Sequence, residues 1–184
     1  MSTLGVSPAA CPVGGVDGMP LTDGSLLETF NALRDELVST LMYLLGNRDD
    51  AQDAAQDAFL KCWRARETMA GVQNLRAWIF RVGLNTAKDM QRSAWNRRAK
   101  PFMGEEAMIT GRELPPGLGL EEGEDLDRLR KAICDLRQEE KEVFLLRQNG
   151  DLTYEQIAEI RNSPVGTVKT QMRSALQKLR KVLA

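Results

Sequence analysis

Histidine is absent from this chain of 184 residues, and cysteine occurs only as Cys11, Cys62 and Cys134. Three isolated cysteines make a poor disulfide framework and lack zinc-site spacing, so a reducing cytoplasm fits best. No apolar run approaches the length of a membrane span. Residues 1–22 contain no basic residue and no long apolar core, which argues against a secretory signal, and we expect this leader to be disordered.

Strands are also not evident, whereas apolar residues make up 42% of the chain, enough for real hydrophobic cores. The formal net charge of −1 conceals strong segregation of charge. Residues 23–60 carry a net charge of −6, residues 61–100 of +8, residues 101–125 of −6 and residues 126–184 of +4. Such alternating blocks indicate separate surfaces for separate partners, at least one of them polyanionic.

A stretch near the C-terminal end has the pattern of a DNA-reading helix-turn-helix. Its first helix has a start signal, because Thr153 and Gln156 can form a capping box. Asn162 then stands at the turn position that requires left-handed backbone, which Asn tolerates best after Gly. The pattern therefore predicts two short helices around a tight turn.

The second helix of this motif is expected to be capped by Ser163, with Pro164 at its first position. Its inward face recurs at helical spacing: Val168, Met172, Leu176 and Leu179. Other positions carry donors and acceptors suited to phosphates and base edges: Thr167, Lys169, Thr170, Gln171, Arg173 and Ser174. Residues 161–184 contain six basic and no acidic residues, which favours DNA binding over an ordinary hairpin with a solvated basic face.

Three helices are predicted in the first half of the chain. The first has an apolar stripe over residues 26–44 and is ended by Gly46 and Asn47. The second is expected over about residues 49–66 and the third over about residues 75–93.

Periodicity fails from about residue 96 to residue 124, where Pro, Gly and Glu accumulate and predict an extended linker. We therefore expect an all-α fold of two small helical domains joined by a flexible acidic linker. The expected segments are a leader (1–22), a first domain (23–98), the linker (99–124) and a second domain (125–184).

Acidic residues cluster at the start of the second helix. Four of them fall within one arc of about 100°: Asp49, Asp50, Asp53 and Asp57. DDAQD matches a DDxxD pattern that chelates magnesium, but neither half of the chain is long enough for the apolar cavity of such enzymes. A solvated acidic helix end is the second alternative. We favour a docking face for a basic partner, extended by Gln56 and Leu60, and expect no metal or cofactor.

The third helix and the residues after it are strongly basic: Arg76, Arg81, Lys88, Arg92, Arg97, Arg98 and Lys100. A solvated basic helix is one interpretation, with Trp78 and Phe80 in the core. For Asn85 we favour a function, because a mid-helix asparagine is mildly unfavourable for the helix itself. The preceding loop, residues 68–74, could accept an unstacked base from single-stranded DNA.

Together these segments resemble the extracytoplasmic-function (ECF) sigma factors, the small two-domain specificity subunits of bacterial RNA polymerase. DAQDAAQDAFLKCW resembles the region 2 segment that docks on the polymerase clamp helices. LRAWIFRVGLNTAKD resembles the segment that reads and opens the minus-ten element. EEKEVFLLR, TYEQIAEI and SPVGTVKTQM resemble the region 4 module that reads the minus-thirty-five element.

The resemblance also implies roles for individual residues. The polymerase clamp would be contacted by Asp53, Gln56, Asp57 and Leu60. A flipped base of the non-template strand would be held by the loop residues Met69, Ala70, Gly71, Gln73 and Asn74. The duplex junction would lie beside Asn85, Lys88 and Arg92. The minus-thirty-five element would face Gly166, Thr167, Lys169, Thr170, Arg173 and Ser174.

The implied protein is an alternative sigma factor that directs transcription initiation and performs no catalysis itself. Its implied partners are core RNA polymerase, promoter DNA and an anti-sigma factor. We expect a monomer when free, in the cytoplasm, without membrane insertion. The alternative is a helix-turn-helix regulator that binds operators without joining polymerase, which should carry a first domain with strands or a ligand pocket.

Two departures from the family pattern bear on specificity. Many members carry arginines after PVGTV, where this chain has KTQMRSAL. Fewer guanidinium groups mean fewer bidentate guanine contacts, each worth about 1–3 kcal/mol of discrimination. The loop has Met69 and Leu75 where an aromatic residue is common, which bears on the identity of the captured base.

Overall fold

Helices form all of the regular structure in the described part of the chain. The computed structural model describes residues 23–67, 72, 74–99 and 124–183. In chain order the helices are α1 (Asp23–Leu45), α2 (Arg48–Ala65), α3 (Leu75–Ala99), α4 (Glu124–Asp135), α5 (Gln138–Gln148), α6 (Tyr154–Arg161) and α7 (Val165–Leu183). The expected all-α fold is confirmed, and the leader and most of the linker lie outside the described residues.

The turn between α1 and α2 forms where the sequence predicts it. Gly46 adopts a φ of 87°, which glycine reaches without steric cost, and its N–H donates to the Met42 carbonyl at 2.8 Å. The Asn47 side chain then caps α2 by accepting a hydrogen bond from the Asp50 amide at 2.7 Å. Both helices therefore end and begin within about one residue of their expected limits.

Helix α3 is longer than expected. It continues to Ala99, whereas the periodicity predicted an end near Ser93. Residues 94–99 lack Gly and Pro and include two alanines and two arginines, which are good helix formers. Apolar periodicity is therefore a poor criterion here, because a helix can extend beyond its packed face where the residues have high helix propensity.

The first bundle packs α1, α2 and α3 around a core of leucines and alanines. Leu33, Leu37 and Leu41 of α1 are almost fully buried. Helix α2 faces them with small side chains: Ala51, Ala54, Ala55 and Ala58. Trp78 and Phe80 of α3 are also buried, as expected. Because the packed side of α2 consists mainly of small residues, the large side chains of the core come mainly from α1 and α3.

Gly83 lies where α3 packs closely against Leu37 of α1. A Cβ atom at this position would lie 2.8 Å from Cδ1 of Leu37, which is fully buried. A real side chain there requires Leu37 to move within a packed core. Glycine is therefore retained at a helical position where it weakens the helix itself by about 1 kcal/mol relative to alanine.

Replacing Gly83 with Ala should destabilise the protein by about 1 kcal/mol, because the cost of overpacking exceeds the gain in helix propensity. The urea midpoint of unfolding measures this change. Gly24→Ala is the matched control, since a Cβ at this α1 position meets nothing within 4 Å. If the urea midpoint shifts equally in both variants, Leu37 moves aside at no cost in stability and the packing argument is wrong.

The second bundle consists of α4 to α7. Its core contains Leu145, Leu146 and Leu152, with Ile157 of α6 and Val168 of α7. Helix α7 packs against α4, α5 and α6, so it is the central element of the bundle. The inward face predicted for α7 is confirmed.

In the turn after α5 the left-handed residue is Asp151, although Gly150 is the residue in which that conformation would be expected. Asp151 has a φ of 49°, whereas Gly150 does not have a positive φ. Glycine is needed at 150 for space, because a Cβ there would lie 2.5 Å from the Leu146 carbonyl oxygen. The loop therefore needs glycine at 150, where there is no room for a side chain beside the Leu146 carbonyl, and a residue at 151 that tolerates the left-handed conformation, as aspartate does.

The two bundles contact each other in the structure. Helix α1 packs against α5, and α3 packs against α6. The buried apolar residues of both bundles belong to one continuous cluster.

Candidate nucleic-acid and polymerase interfaces

The turn of the helix-turn-helix is formed by the residues that the sequence indicated. Thr153 accepts from the Gln156 amide at 3.2 Å, and Gln156 Oε1 accepts from the Thr153 amide at 2.9 Å. Asn162 adopts φ 49° and ψ 52°, and the Ser163 amide donates to the Ala158 carbonyl at 2.9 Å. The capping box and the left-handed asparagine are both confirmed.

The start of α7 differs from the prediction. The Pro164 carbonyl accepts from the Thr167 and Val168 amides, at 3.0 and 3.2 Å, so Pro164 precedes the helix instead of occupying its first position. The Ser163 hydroxyl is buried and has no hydrogen-bond partner. The expectation that Ser163 caps α7 with its side chain is therefore wrong, because a capping hydroxyl would accept a hydrogen bond from one of the first amides of the helix and this one accepts none.

The predicted DNA-reading side of α7 faces solvent. Five of its six residues are exposed: Gly166, Thr167, Lys169, Thr170 and Arg173. The opposite side is buried: Val168, Met172, Ala175 and Leu179. Thr170 Oγ1 donates to the Gly166 carbonyl at 2.9 Å, and Lys169 Nζ lies 5.9 Å from the Tyr154 ring centroid. We call these five exposed residues the recognition face.

Ser174 lies at the edge of the recognition face and is half-buried. Its hydroxyl donates to Glu140 Oε1 at 2.7 Å, while Lys178 Nζ lies 2.8 and 2.6 Å from the two oxygens of the same carboxylate. The structure therefore gives Ser174 a partner in α5, apart from any contact with DNA.

A basic groove runs beside the recognition face. Its lining residues are Tyr154, Lys169, Met172, Arg173, Leu176, Gln177, Arg180 and Lys181. Sequence reasoning missed Tyr154, Gln177, Arg180 and Lys181. The last three continue the spacing of three or four residues that begins at Arg173, which is a signal that could have identified them.

The acidic residues of α2 share a solvent-exposed face. All four residues predicted to contact polymerase are exposed: Asp53, Gln56, Asp57 and Leu60. Leu60 is 44% exposed and shares this face with two carboxylates, so the face is both apolar and acidic, as a docking surface requires. Among the described residues, no group of three His, Cys, Asp or Glu side chains could hold a metal ion.

The buried side of α2 carries Cys62. Burial raises the pKa of this thiol to about 12, so it stays protonated and unreactive near neutral pH. Aromatic rings also pack on this helix: Phe59 meets Phe30 edge to face, with the ring centroids 4.9 Å apart, and stacks on Trp63 at 6.0 Å. Arg66 lies 4.3 Å from the Trp63 ring centroid. This aromatic packing fixes the end of α2 that precedes the loop.

Helix α3 presents only part of its predicted basic surface to solvent. Asn85 and Arg92 are exposed, but Lys88 is half-buried and its Nζ lies 3.2 Å from Oε2 of Glu142 in α5. Arg92 forms a looser pair with Asp89, at 3.7 Å. The three residues expected beside the duplex junction therefore occupy one helix but different environments.

Asn74 caps the start of α3. Its Oδ1 accepts from the Ala77 amide at 2.9 Å, so this side chain has a structural role whatever else it binds. The other loop residues predicted to hold a base lie outside the described residues: Met69, Ala70, Gly71 and Gln73.

Two sequence profiles match the chain in the regions where these surfaces lie. Sigma-70 region 2 matches residues 29–97, and sigma-70 region 4 matches residues 126–179. The ECF sigma-E factor of Haemophilus influenzae is 30% identical over 173 residues, which cover 83% of this chain and 90% of that protein. This chain is an ECF sigma factor of the sigma-70 family.

Other relatives are also sigma factors, and each matches this chain over most of its own length. RNA polymerase sigma factor SigV of Bacillus subtilis is 30% identical over 134 residues, which cover 73% of this chain and 76% of that protein. ECF RNA polymerase sigma factor SigW of the same organism is 26% identical over 162 residues, which cover 82% of this chain and 84% of that protein.

Two solved structures share the fold of this sigma factor. Sigma factor RpoE of Bartonella quintana, crystallised with the anti-sigma factor NepR, has a TM-score of 0.69 and 24% identity, covering 87% of this chain and 94% of that one. CnrH, solved with the cytosolic domain of CnrY, has a TM-score of 0.62 and 19% identity, covering 88% of this chain and 89% of that one.

The family membership settles the choice between the two expected functions. The sigma factor directs transcription initiation, and the alternative of an operator-binding regulator is not favoured, because the first bundle matches sigma region 2. The region 2 match covers the exposed face of α2 and the basic helix α3. The region 4 match contains the recognition face of α7. No helix of the described residues is long and apolar enough to cross a membrane.

Glu140 holds the sigma factor's recognition helix against α5. Its side chain is only 7% exposed and binds Lys178 and Ser174 of α7. Burial by itself raises the pKa of this carboxyl, but hydrogen bonds from Lys178, Ser174 and the Arg137 amide outweigh burial and lower the pKa below its ordinary value. The carboxylate therefore stabilises the folded state.

Glu140→Gln should destabilise the second bundle by about 1–3 kcal/mol near neutral pH, because it removes a buried charge-assisted hydrogen bond. A lowered carboxyl pKa adds stability above the unfolded value of about 4.3, and this stability is lost as pH falls through the folded value. Chemical denaturation at several pH values should show the difference from the unmodified protein shrinking below that pH. Glu139→Gln, at an exposed position, is the control and should change little. A Glu140 effect independent of pH would show that charge is not the cause.

Proposed function

We propose that three exposed helix faces divide the work of initiation between them. The acidic face of α2 docks on core RNA polymerase, α3 and its preceding loop engage the minus-ten element, and the recognition face of α7 reads the minus-thirty-five element. The observation that carries this proposal is the placement of opposite charges on separate helices, with the acidic face on α2 and the basic faces on α3 and α7. An acidic face attracts a basic protein surface, whereas a basic face attracts the phosphates of DNA, so the separate faces can bind different partners.

The docking face consists of Asp53, Gln56, Asp57 and Leu60. Their opposite side, on the same helix, is packed with alanines, so changes at the exposed positions leave the core intact. Two carboxylates around an exposed leucine suit a partner surface that offers basic side chains around an apolar contact.

Reversing the charge of Asp53 and Asp57 to Lys should weaken binding to core polymerase by at least about tenfold, because two attractive contacts become repulsive. Equilibrium binding to purified bacterial core polymerase measures the effect. The control carries the same double reversal at Glu28 and Asp35, which are exposed on α1. Equal loss of affinity in both variants would assign the effect to total charge and remove the docking face.

The recognition face offers two cations and two hydroxyl groups around a glycine. Apart from its own turn of helix, a Cβ at Gly166 would meet no atom of the protein within 4 Å, so the close approach that glycine permits here is open to a ligand. Lys169 lies over the ring of Tyr154, which begins α6. Arg147 of α5 lies 5.5 Å from the centroid of the same ring. Tyr154 therefore positions Lys169 at the edge between recognition face and groove.

Replacing Lys169 and Arg173 with Ala should reduce transcription from a minus-thirty-five-dependent promoter by at least about tenfold, since each base-reading contact is worth about 1–3 kcal/mol. Core binding should be unchanged. Lys131→Ala, at an exposed lysine of α4, is the control for lost charge. The measurement compares a set of altered upstream elements, and equal loss on all of them would show that these residues contact only phosphates.

The minus-ten element is proposed to meet Asn85, Lys88 and Arg92, with one unstacked base held by Met69, Ala70, Gly71, Gln73 and Asn74. The cap that Asn74 forms on α3 supports this assignment, because it fixes the end of the loop next to the basic helix. A flipped base held there would begin strand separation without any chemical step, and we assign the protein no catalytic activity.

The partners follow from the same surfaces. The similar RpoE structure is a complex with the anti-sigma factor NepR, and CnrH was solved with the cytosolic domain of CnrY. We propose that an anti-sigma factor also binds this chain, which acts as a monomer in the cytoplasm when free. Since the recognition face and the docking face are both exposed, either can be covered by such an inhibitor. Copurification from the native host identifies it.

A further inference from the structure

One buried carboxylate joins the two bundles. Glu142 of α5 is 3% exposed, and its Oε2 lies 3.2 Å from Nζ of Lys88 in the first bundle. The same oxygen lies 3.0 Å from Nε of Arg161 in α6, whose side chain is 9% exposed. Glu142 is therefore shared between a cation of its own bundle and a cation of the other.

Two further polar contacts cross between the bundles. Asn149 Nδ2 donates to Thr40 Oγ1 at 3.1 Å, and Arg76 Nη1 donates to the Gly150 carbonyl at 3.2 Å. Asn149 and Gly150 both lie in the turn that follows α5, where Gly150 lies close to the Leu146 carbonyl. With the Glu142 pair they form a row of three contacts, which we call the latch.

We propose that the latch holds the free sigma factor in a closed form that withholds Lys88 and Arg76 of α3 from DNA. It occupies Lys88 and Arg76, two cations of the basic helix, with a carboxylate and a carbonyl of the other bundle. An ammonium group held by a buried carboxylate is not free to bind a phosphate. The proposal rests on the DNA role assigned to Lys88 under the proposed function.

The closed form affects the two promoter-reading helices unequally. The recognition face of α7 stays exposed while the latch is closed. Lys88 is only 39% exposed and paired. The closed form should therefore bind minus-ten DNA more weakly than the open form does, whereas both forms should bind minus-thirty-five DNA equally well.

The arrangement of charges makes the latch releasable. When the bundles separate, Glu142 loses Lys88 but keeps Arg161, so no charge is left buried without a partner. Arg161 also donates to Gln171 of α7 through Nη1, which keeps its side chain in place. Thr40 likewise keeps its hydrogen bond to the Glu36 carbonyl, at 2.8 Å. Opening therefore breaks a few polar contacts that water can replace, together with the packing of α1 on α5 and of α3 on α6. A partner that binds only the open form can shift the balance.

The test uses a variant that disables the latch without touching a proposed DNA contact: Thr40→Val combined with Glu142→Gln. Spin labels on exposed positions of the two bundles, Asp35→Cys and Glu155→Cys, report the distance between them. Cys62 and Cys134 are buried, and Cys11→Ser removes the third cysteine. The unmodified protein should give one narrow distance, and the variant a broader distribution at longer distances. Equal distributions in both proteins would overturn the latch.

Binding of free protein to a fork carrying the single-stranded minus-ten element is measured in parallel. The latch variant should bind about tenfold more tightly if the closed form holds about nine-tenths of the molecules, because apparent affinity scales with the competent fraction. Binding to minus-thirty-five duplex should not change. Glu139→Gln, combined with Thr40→Ser, is the matched control and should behave like the unmodified protein. An open variant with no gain on the fork would overturn the inhibitory role.

Adding Lys88→Ala to the open variant separates this proposal from the proposed function. If the gain in fork binding disappears, Lys88 is the group that the latch withholds. If the labels show opening and fork binding rises but Lys88→Ala changes nothing, the latch stands and the DNA role of Lys88 is refuted. Thermal unfolding of each variant confirms that both bundles remain folded.

Discussion

Three consecutive buried charges in α5 hold the second bundle together. Glu140 binds α7, Lys141 donates to the Cys134 carbonyl of α4 at 2.8 Å, and Glu142 binds Arg161 of α6. Each is under 7% exposed as a residue, and a buried charge is costly unless it is paired. One helical turn therefore fixes the positions of all the other helices in its bundle, and the direction of the recognition face depends on it.

The sequence predicted those features that depend on near neighbours. The capping box at Thr153, the left-handed turn at Asn162 and the break at Gly46 follow from side chains within four residues of one another, and all were confirmed. The exposed faces of α2 and α7 could be predicted because helical periodicity alone determines which positions share a side. Family resemblance supplied the functions proposed for those faces.

Features that depend on distant partners could not be predicted. Periodicity places Glu142 and Lys141 among ordinary polar positions, and only the packing of α4, α6 and α3 around them shows that they are buried. The engagement of Ser174 with Glu140 and the inward hydroxyl of Ser163 are of the same kind, since both depend on which element lies alongside. The extent of α3 escaped prediction for the opposite reason, because its last turns follow from propensity without an apolar stripe.

The division of α7 into a packed side and an empty side has an evolutionary consequence. Val168, Ala175 and Leu179 supply its packing, while Gly166 and Arg173 face solvent on the other side. Substitutions on the solvent side cost the fold little, typically within about 0.5 kcal/mol. Given the proposed role of the solvent side in reading the upstream element, promoter preference can drift among descendants of this protein while the scaffold stays constant. New promoter specificities should then be selectable from a library that varies only that side.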